Sequence, residues 1–217
     1  MTHYFSRITL TEKGLEYKIR NMYGGSYDIH KEVWNLFPGM PDSNREFIYS
    51  IMDDGRTIYM VSSKKPMYND RMSVESKEYD PILRQFDVFR FRLLANPTVM
   101  RSVDGKRIRH DVVMDLKTKL RAEGKQLGMG EIMNTAVSDW LVRKSSLNGF
   151  EIDRESLLIH SYSRNESSKG GNKMVISTVV IEGVLMIKDV EAFRHALFNG
   201  IGSAKGFGCG MLMIRRT

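Results

Sequence analysis

The sequence predicts an α+β protein built from two tandem ferredoxin-like (RRM-like) units, each with the element order βαββαβ. Three observations lead to this prediction. Strand patterns alternate with amphipathic helix patterns along the 217 residues, the second half follows the order of the first more loosely, and no low-complexity linker separates the halves. We expect the first unit to span residues 1–95 and the second to span residues 96–217.

The first half opens with a strand pattern at Tyr4–Leu10, which is followed by a helical pattern at Tyr27–Phe37. Ser26 can cap this helix at its N-terminus, and Pro38 ends it. Three further strands are predicted at Glu46–Met52, Thr57–Ser62 and Phe86–Leu94. A short helix between the last two strands would complete the unit, with Phe86–Leu94 as its fourth strand.

In the second half, the clearest signal is an apolar stripe at helical spacing from Glu131 to Lys144. The first strand of this unit is expected before that helix, near Pro97–Val103. The remaining elements are two strands, a helix and a final strand, predicted at Leu157–Tyr162, Met174–Ile187, Val190–Phe198 and Cys209–Arg215. The polar stretch 163–173 between the two strands is typical of a hairpin tip, and it is either a solvent loop or a contact for RNA.

The charge balance is basic and uneven. Lys and Arg total 33 against 26 Asp and Glu, which gives a net charge of +7. An excess of this size fits a nucleic-acid partner, but it also fits many other soluble proteins. Residues 101–125 hold eight of the basic residues against four acids, and this run is either a solvated charged segment or a surface that faces RNA.

The sequence lacks the signals that are typical of several functional classes. The single cysteine, Cys209, excludes an internal disulfide and suits a reducing cytoplasm. The N-terminus has no signal-peptide pattern, and no apolar run approaches the ~20 residues of a membrane span. The five histidines are scattered and match no zinc motif. We therefore expect a cytoplasmic protein without membrane contact, and chemistry that needs neither a metal nor a cofactor.

One helix carries residues suited to phosphate chemistry. Tyr27, His30 and Trp34 form a stripe at spacing i, i+3, i+7 along the rim of its apolar face, with Lys31 beyond. A histidine about one turn into a helix lies where free backbone N–H groups and the helix dipole favour a phosphate. His30 is therefore a candidate for proton transfer on a phosphodiester. The alternative is an ordinary amphipathic helix with a half-buried histidine.

A second notable segment is the glycine-rich loop Gly200–Gly210, which contains five glycines together with Ser203 and Lys205. Its backbone can approach another backbone closely. The spacing fits neither the P-loop nor the dinucleotide-binding pattern, and too few residues follow for a helix to open after it. The simpler interpretation is a flexible connection between a helix and a strand.

Together these segments resemble the CasE-type CRISPR repeat-processing endoribonucleases of type I-E systems. The matching residues occur in the family's order from residue 27 to residue 210. They are Tyr27-x-x-His30-x-x-x-Trp34-x-Leu36-Phe37-Pro38, Phe91-Arg92-Leu93-Leu94-Ala95-Asn96-Pro97, Val179-Val180-Ile181-Glu182-Gly183-Val184-Leu185 and the loop Gly200–Gly210.

The resemblance implies an enzyme that binds the hairpin of the CRISPR repeat and cuts at its 3′ base without a metal. The RNA 2′-hydroxyl would attack, leaving a 2′,3′-cyclic phosphate and a 5′-hydroxyl, and the protein would keep the hairpin as a subunit of Cascade beside other subunits. His30 would transfer protons, and Tyr27 would bind the phosphate or orient the imidazole. The RNA-binding candidates are Lys31, Arg101, Arg107, Arg109, Arg164, Lys169, Lys173, Ser203 and Lys205, of which Lys31 or Lys205 could supply charge to the transition state.

Two other classes of function remain open from the residues. One is a non-catalytic RNA-binding subunit of a CRISPR ribonucleoprotein, which would not need the Tyr27 and His30 pair. The other is a metabolic or regulatory ferredoxin-like protein whose basic surface is incidental, because a fold alone does not establish a function.

Overall fold

The computed structural model describes residues 2–20, 26–39, 45–103, 105–169 and 172–217. These residues form ten strands and five α-helices. The strands are β1 Tyr4–Leu10, β2 Phe47–Ile51, β3 Thr57–Ser62, β4 Met72–Glu78, β5 Val88–Ala95, β6 Thr98–Val103, β7 Lys106–Asp111, β8 Phe150–Lys169, β9 Asn172–Ile187 and β10 Leu212–Arg216. The helices are α1 Glu12–Arg20, α2 Ser26–Trp34, α3 Val112–Ala122, α4 Met129–Leu147 and α5 Val190–Asn199.

The first sheet has the strand order β2-β3-β1-β4, and every neighbouring pair is antiparallel. This is the order of a ferredoxin-like sheet. Its apolar face packs against α2 and the turn that follows it, where Val33 and Leu36 are buried together with Tyr49 and Met60 of the sheet. The predicted strands Tyr4–Leu10 and Thr57–Ser62 are confirmed to the residue.

Two features of the first sheet differ from the prediction. Helix α1 was not foreseen, because its sequence contains Gly14, a weak helix former. A Cβ atom there would lie 2.2 Å from the carbonyl oxygen of Arg71, so the close approach of two backbones requires this glycine. The short helix expected after the third strand is absent, since residues 63–71 connect β3 to β4 without one.

The second sheet has the order β10-β5-β9-β8, again with antiparallel neighbours. The strand predicted at Phe86–Leu94 as the fourth strand of the first unit exists as β5, but it pairs with β9 and β10 in this second sheet. The fourth strand of the first sheet is β4 instead. The division between the sheets therefore falls between Glu78 and Val88, before the boundary at residues 95 and 96 that the sequence predicted.

A physical reason explains this error. Strand β4 is an edge strand with the sequence MSVESKE, and only Met72 is fully buried, so its alternation is weak. The segment predicted as the first strand of the second unit, Pro97–Val103, is β6, which pairs only with β7 in a separate hairpin. This hairpin and α3 are inserted between β5 and α4.

The second unit has the larger core. Trp140 and Leu141 of α4 and Phe193 and Leu197 of α5 are buried against the sheet, as the predicted apolar stripes require. Strands β8 and β9 form a long hairpin, with register shifts at Asp153/Leu158 and His160/Ser163. Among the described helices, none has the length and apolar character that crossing a membrane would require.

The other face of the first sheet packs against the second unit. Ile48, Val61 and Met211 form a small buried cluster, with Phe5 and Phe198 packed at its edge. Helix α5 accordingly lies beside β2. Because of this packing, the loop after α5 lies next to both β2 and α2.

Candidate catalytic site between α2 and the glycine-rich loop

Helix α2 holds His30 at the rim of the first unit. Its buried residues fix the rotation of the helix, so that His30 and Trp34 follow one another a turn apart on the same edge. The Trp34 indole Nε1–H donates a hydrogen bond to His30 Nε2 at 2.9 Å, and the edge of the indole packs on the Phe47 ring. An imidazole nitrogen that accepts a hydrogen bond carries no proton, so Trp34 holds Nε2 unprotonated in this arrangement.

The glycine-rich loop is closed at its base by hydrogen bonds. Ile201 N–H donates to the Gly210 carbonyl at 2.8 Å, and Gly210 N–H donates to Leu94 of β5 at 2.7 Å. Gly200 has a φ of 73°, and a Cβ atom there would meet the Gly210 carbonyl oxygen at 2.8 Å. The closure thus depends on glycine at position 200.

At its tip the loop forms a 3₁₀ turn, Lys205–Phe207, that lies against α2. The Phe207 ring stacks on the His30 imidazole with centroids 6.1 Å apart. Tyr49 of β2 donates its hydroxyl proton to the Gly206 carbonyl at 2.8 Å. Burial raises the pKa of Tyr49, so the phenol remains a protonated donor and the loop tip is held in place.

Gly206 lies between His30 and an arginine. A Cβ atom on Gly206 would lie 3.4 Å from both His30 Cε1 and Arg45 Nη1, and 3.7 Å from His30 Nε2. The Cε1–Nε2 edge of the imidazole and the guanidinium of Arg45 therefore flank the same small space beside the loop.

Positive charges gather around Lys205 of the loop tip. Burial lowers the pKa of Lys205, and the charges of Arg45 and Lys144 lower it further. Burial also lowers the pKa of Arg45. Across the described ranges, no carboxylate lies within salt-bridge distance of Arg45, Lys144 or Lys205. We name Arg45, Lys144 and Lys205 the loop cation cluster; its unbalanced charge suits an anion next to His30.

Ser203 ties the loop to the second unit. Its hydroxyl contacts Asn96 Oδ1 at 2.7 Å and the Thr98 hydroxyl at 3.0 Å. The buried Asn96 amide in turn donates to the Ser177 carbonyl of β9 at 2.6 Å. A continuous chain of hydrogen bonds thus connects the glycine-rich loop with β9 at the position opposite Arg164.

The β6–β7 hairpin separates the three predicted arginines. Cross-strand pairing puts Arg107 and Arg109 on the same face of the hairpin as Thr98. Because Thr98 contacts Ser203, this face lies on the side of the glycine-rich loop. Arg101 lies on the opposite face. Its guanidinium donates two hydrogen bonds to Asp115 of α3, at 2.9 and 2.6 Å. The structure does not bring Arg101 to the site.

The remaining predicted residues are placed as follows. Arg164 is exposed on β8, opposite Ser177, and Lys31 is exposed on α2 immediately after His30. The side chains of Tyr27, Lys169 and Lys173 lie outside the described part of the structure. Their predicted roles stay predictions.

Comparison with known proteins identifies the family. A model of a family described as CRISPR associated protein matches residues 3–216. The chain belongs to this CRISPR-associated family. A curated relative, the CRISPR system Cascade subunit CasE of Escherichia coli K12, is 28% identical over 197 residues, which cover 87% of this chain and 90% of the relative.

Solved structures show the same fold. The CRISPR-associated protein Cas6e from E. coli K-12 superposes with a TM-score of 0.68 at 23% identity, covering 99% of this chain and 100% of its own. Cse3 from Thermus thermophilus, solved with an RNA that represents a pre-cleavage complex, gives 0.72 at 18% identity with the same coverage. A chain of a CRISPR RNA-guided surveillance complex gives 0.65 at 20% identity, again covering 99% and 100%. The tandem ferredoxin-like architecture of this family member is thereby confirmed.

Sequence reasoning missed two residues of the site. Trp34 was placed on the rim stripe, but its hydrogen bond to His30 was not foreseen. Arg45 was not considered at all, and its only signal is a position two residues before β2. No group of three or more His, Cys, Asp or Glu side chains in the described ranges could hold a metal ion.

Proposed function

We propose that this protein is a metal-independent endoribonuclease that binds the hairpin of a CRISPR repeat in precursor crRNA and cuts it at the 3′ base. It keeps the cleaved hairpin and serves in the cytoplasm as a subunit of Cascade, beside other subunits. Family membership and the relatives named for Cascade and for CRISPR RNA support this assignment. The observation that carries it is the position of His30 against the tip of the glycine-rich loop, where the guanidinium of Arg45 also lies beside Gly206.

The chemistry follows from the groups present. The RNA 2′-hydroxyl attacks the adjacent phosphorus, a base removes the hydroxyl proton, and an acid protonates the 5′-oxygen as the P–O5′ bond breaks. The products are a 2′,3′-cyclic phosphate and a 5′-hydroxyl, with no net uptake of water. The substrate supplies its own nucleophile, so the reaction requires neither a metal nor a cofactor.

His30 is the proposed proton-transfer residue, because imidazole exchanges protons near neutral pH. The Cε1–Nε2 edge of its ring faces the space at Gly206, where the phosphate would lie. Proton exchange at Nε2 requires the Trp34 indole to release its hydrogen bond, so binding of RNA must compete with Trp34 for this nitrogen. Tyr27, one turn earlier in α2, would hydrogen-bond the phosphate or orient the ring.

The RNA stem would run from the glycine-rich loop over the second unit. Ser203 and Thr98 join the loop to the outer face of the β6–β7 hairpin, where Arg107 and Arg109 can contact phosphates. Arg164, with Lys169 and Lys173 at the β8–β9 tip, would follow another part of the stem. Arg101 is the least suited of the proposed contacts, since Asp115 already occupies its guanidinium.

The proposal is tested with a His30→Ala variant and a repeat hairpin under single-turnover conditions. Cleavage should slow by roughly 10²–10⁴-fold because general acid–base help is lost. The affinity for a hairpin with a 2′-deoxy group at the cut should stay within a few-fold of wild type, because the imidazole acts on protons rather than on the stem. His195 is an exposed histidine on α5, so His195→Ala is the matched control and should cut at the wild-type rate.

Two outcomes would contradict the assignment. A His30→Ala variant that cuts at the wild-type rate removes His30 from the mechanism. A wild-type protein that binds the hairpin tightly but leaves it uncut is a non-catalytic RNA-binding subunit.

A further inference from the structure

We propose that Arg45 binds the scissile phosphate and stabilises the charge of the transition state in the reaction proposed above, on which this inference rests. The Arg45 guanidinium lies beside Gly206, close to the His30 imidazole. The guanidinium Nη1 and the His30 imidazole lie equally far, 3.4 Å, from the point where a side chain on Gly206 would begin. A phosphate oxygen in this space would touch both the proton-transfer residue and a fixed cation.

The Arg45 side chain lacks partners within the described protein. Its Nε is buried and finds no hydrogen-bond partner among the described residues, and no carboxylate there pairs with it. The side chain as a whole is only partly buried, and its positive charge has no described carboxylate partner. An anion that accepts hydrogen bonds from the guanidinium would balance this charge.

Arg45 also differs from the lysine candidates in its contacts and its geometry. Lys205 Nζ donates to the Asn199 carbonyl at 2.6 Å, so one of its protons already holds the loop. Arginine presents two parallel N–H groups that match two non-bridging phosphate oxygens, whereas a lysine acts as a point charge. Arg45 is therefore better suited to this role than Lys31 or Lys205, the candidates that the sequence suggested.

Arg45 undergoes no covalent change in this scheme. As the 2′-oxygen attacks, negative charge grows on the two non-bridging oxygens, and hydrogen bonds from the guanidinium become stronger. The proton of the 2′-hydroxyl and the proton delivered to the 5′-oxygen pass through other groups, with His30 as one of them. Arg45 keeps its own protons throughout.

The test measures the rate at which a repeat hairpin is cleaved by a saturating excess of protein. It compares wild type with Arg45→Ala, Arg45→Lys and the control Arg84→Ala. Arg84 is exposed in the segment before β5, whereas the glycine-rich loop bonds to Leu94 near the other end of that strand. Arg45→Ala should slow cleavage by about 10²–10³-fold, as expected for loss of one transition-state donor. Arg45→Lys should recover only part of the rate, and Arg84→Ala should match wild type.

Chemical rescue separates contact with the phosphate from a structural role. Added guanidinium ion, at concentrations well below those that unfold the protein, should accelerate cleavage by Arg45→Ala but not by His30→Ala. The thermal midpoint of Arg45→Ala should stay close to that of wild type, because Arg45 is only partly buried and has no described carboxylate partner. A lower midpoint without rescue would show that Arg45 only supports the fold, and would overturn the inference.

The two proposals fail in different ways. If Arg45→Ala cuts at the wild-type rate while His30→Ala is inactive, the role of Arg45 is wrong and the proposed function stands. If both variants cut at the wild-type rate, the proposed function itself is wrong at this site.

Discussion

The loop cation cluster and the cluster around Asp115 contain the same kinds of side chain in opposite electrostatic situations. Arg101 and Lys119 both contact Asp115. The carboxylate accepts hydrogen bonds from Arg101 and forms an ion pair with Lys119, whose Nζ lies 3.0 Å from Asp115 Oδ2. Arg45 lies beside Gly206, and Lys205 precedes Gly206 in the same 3₁₀ turn, with no described carboxylate within ion-pair distance of either. The first set shares a carboxylate of the protein, whereas the second set has no described carboxylate partner and can accept an anion from outside.

The direction of the pKa shifts follows this difference. The hydrogen bond from Arg101 holds the pKa of Asp115 down at about 2, and the same contact raises the pKa of Arg101. In the loop cluster, burial and neighbouring cations lower the pKa of Lys205. Positive charge is thus stabilised around Asp115 and destabilised around Gly206. A basic residue count alone does not reveal which cluster can bind RNA.

Among the changes that test this comparison without removing a charged or catalytic side chain, the largest effect is expected from Gly206→Ala. The new methyl group would contact His30 and Arg45 at an ordinary 3.4 Å, so the fold should tolerate it. It would nevertheless fill the space in which the phosphate is proposed to lie, and single-turnover cleavage should fall by at least ~10²-fold, since a small displacement of the reacting group suffices for that loss. Gly130→Ala, which meets open space on α4, is the control. Wild-type cleavage by Gly206→Ala would place the phosphate elsewhere.

A smaller effect is expected on the salt dependence of binding. Replacing Arg107 and Arg109 with Ala should reduce the slope of log K against log salt by roughly 0.7–0.9 for each lost phosphate contact. Arg101→Ala should leave the slope unchanged, because its guanidinium is engaged by Asp115. The measurement is the affinity for a 2′-deoxy hairpin at several salt concentrations. Equal slopes for all variants would show that this face of the β6–β7 hairpin does not meet the RNA.

The smallest effect concerns stability. The pKa of Asp115 is lower in the folded protein than in the unfolded chain, so its pairing with Arg101 stabilises the fold above about pH 4, the ordinary carboxyl range. The stabilisation is lost as the pH falls towards 2. Arg101→Ala should lower the free energy of unfolding only slightly near neutral pH, since the pair is partly exposed and screened by solvent.

Urea unfolding of wild type and Arg101→Ala at several pH values tests this prediction. The difference between them should shrink below about pH 4, where Asp115 protonates in the unfolded chain. Arg45→Ala should show no such loss of stability at neutral pH. A difference that does not change with pH would mean that Arg101 contributes through packing rather than through Asp115.

The elements with strong periodicity could be predicted from the sequence. Strands β1 and β3, helices α4 and α5, and the apolar face of α2 all show a regular apolar pattern that packing then uses. Strand β4 could not be found in this way, because an edge strand with one buried apolar residue has little alternation. The sheet to which β5 belongs could not be assigned either, since that depends on pairing with β9 and β10, far along the chain.

The candidate site likewise contains residues that could be predicted from the sequence and residues that could not. His30 was predictable because its place in α2 and the resemblance to a known family both point to it. Arg45 was not predictable, because its significance arises only when Gly206, 161 positions later, returns to the same place through the packing of α5 on β2. The contrast between Arg101 and Arg107 was also hidden, since it depends on which face of a hairpin meets α3.

The most direct test of the central claim is the chemistry of the RNA ends. Wild-type protein is incubated with a repeat hairpin in excess EDTA, and the products are identified by mass spectrometry. The account predicts one cut at the 3′ base of the hairpin, with a 2′,3′-cyclic phosphate on one fragment and a 5′-hydroxyl on the other. A 2′-deoxy group just upstream of the cut should block the reaction. A requirement for a divalent ion, or products that carry a 3′-hydroxyl and a 5′-phosphate, would contradict it.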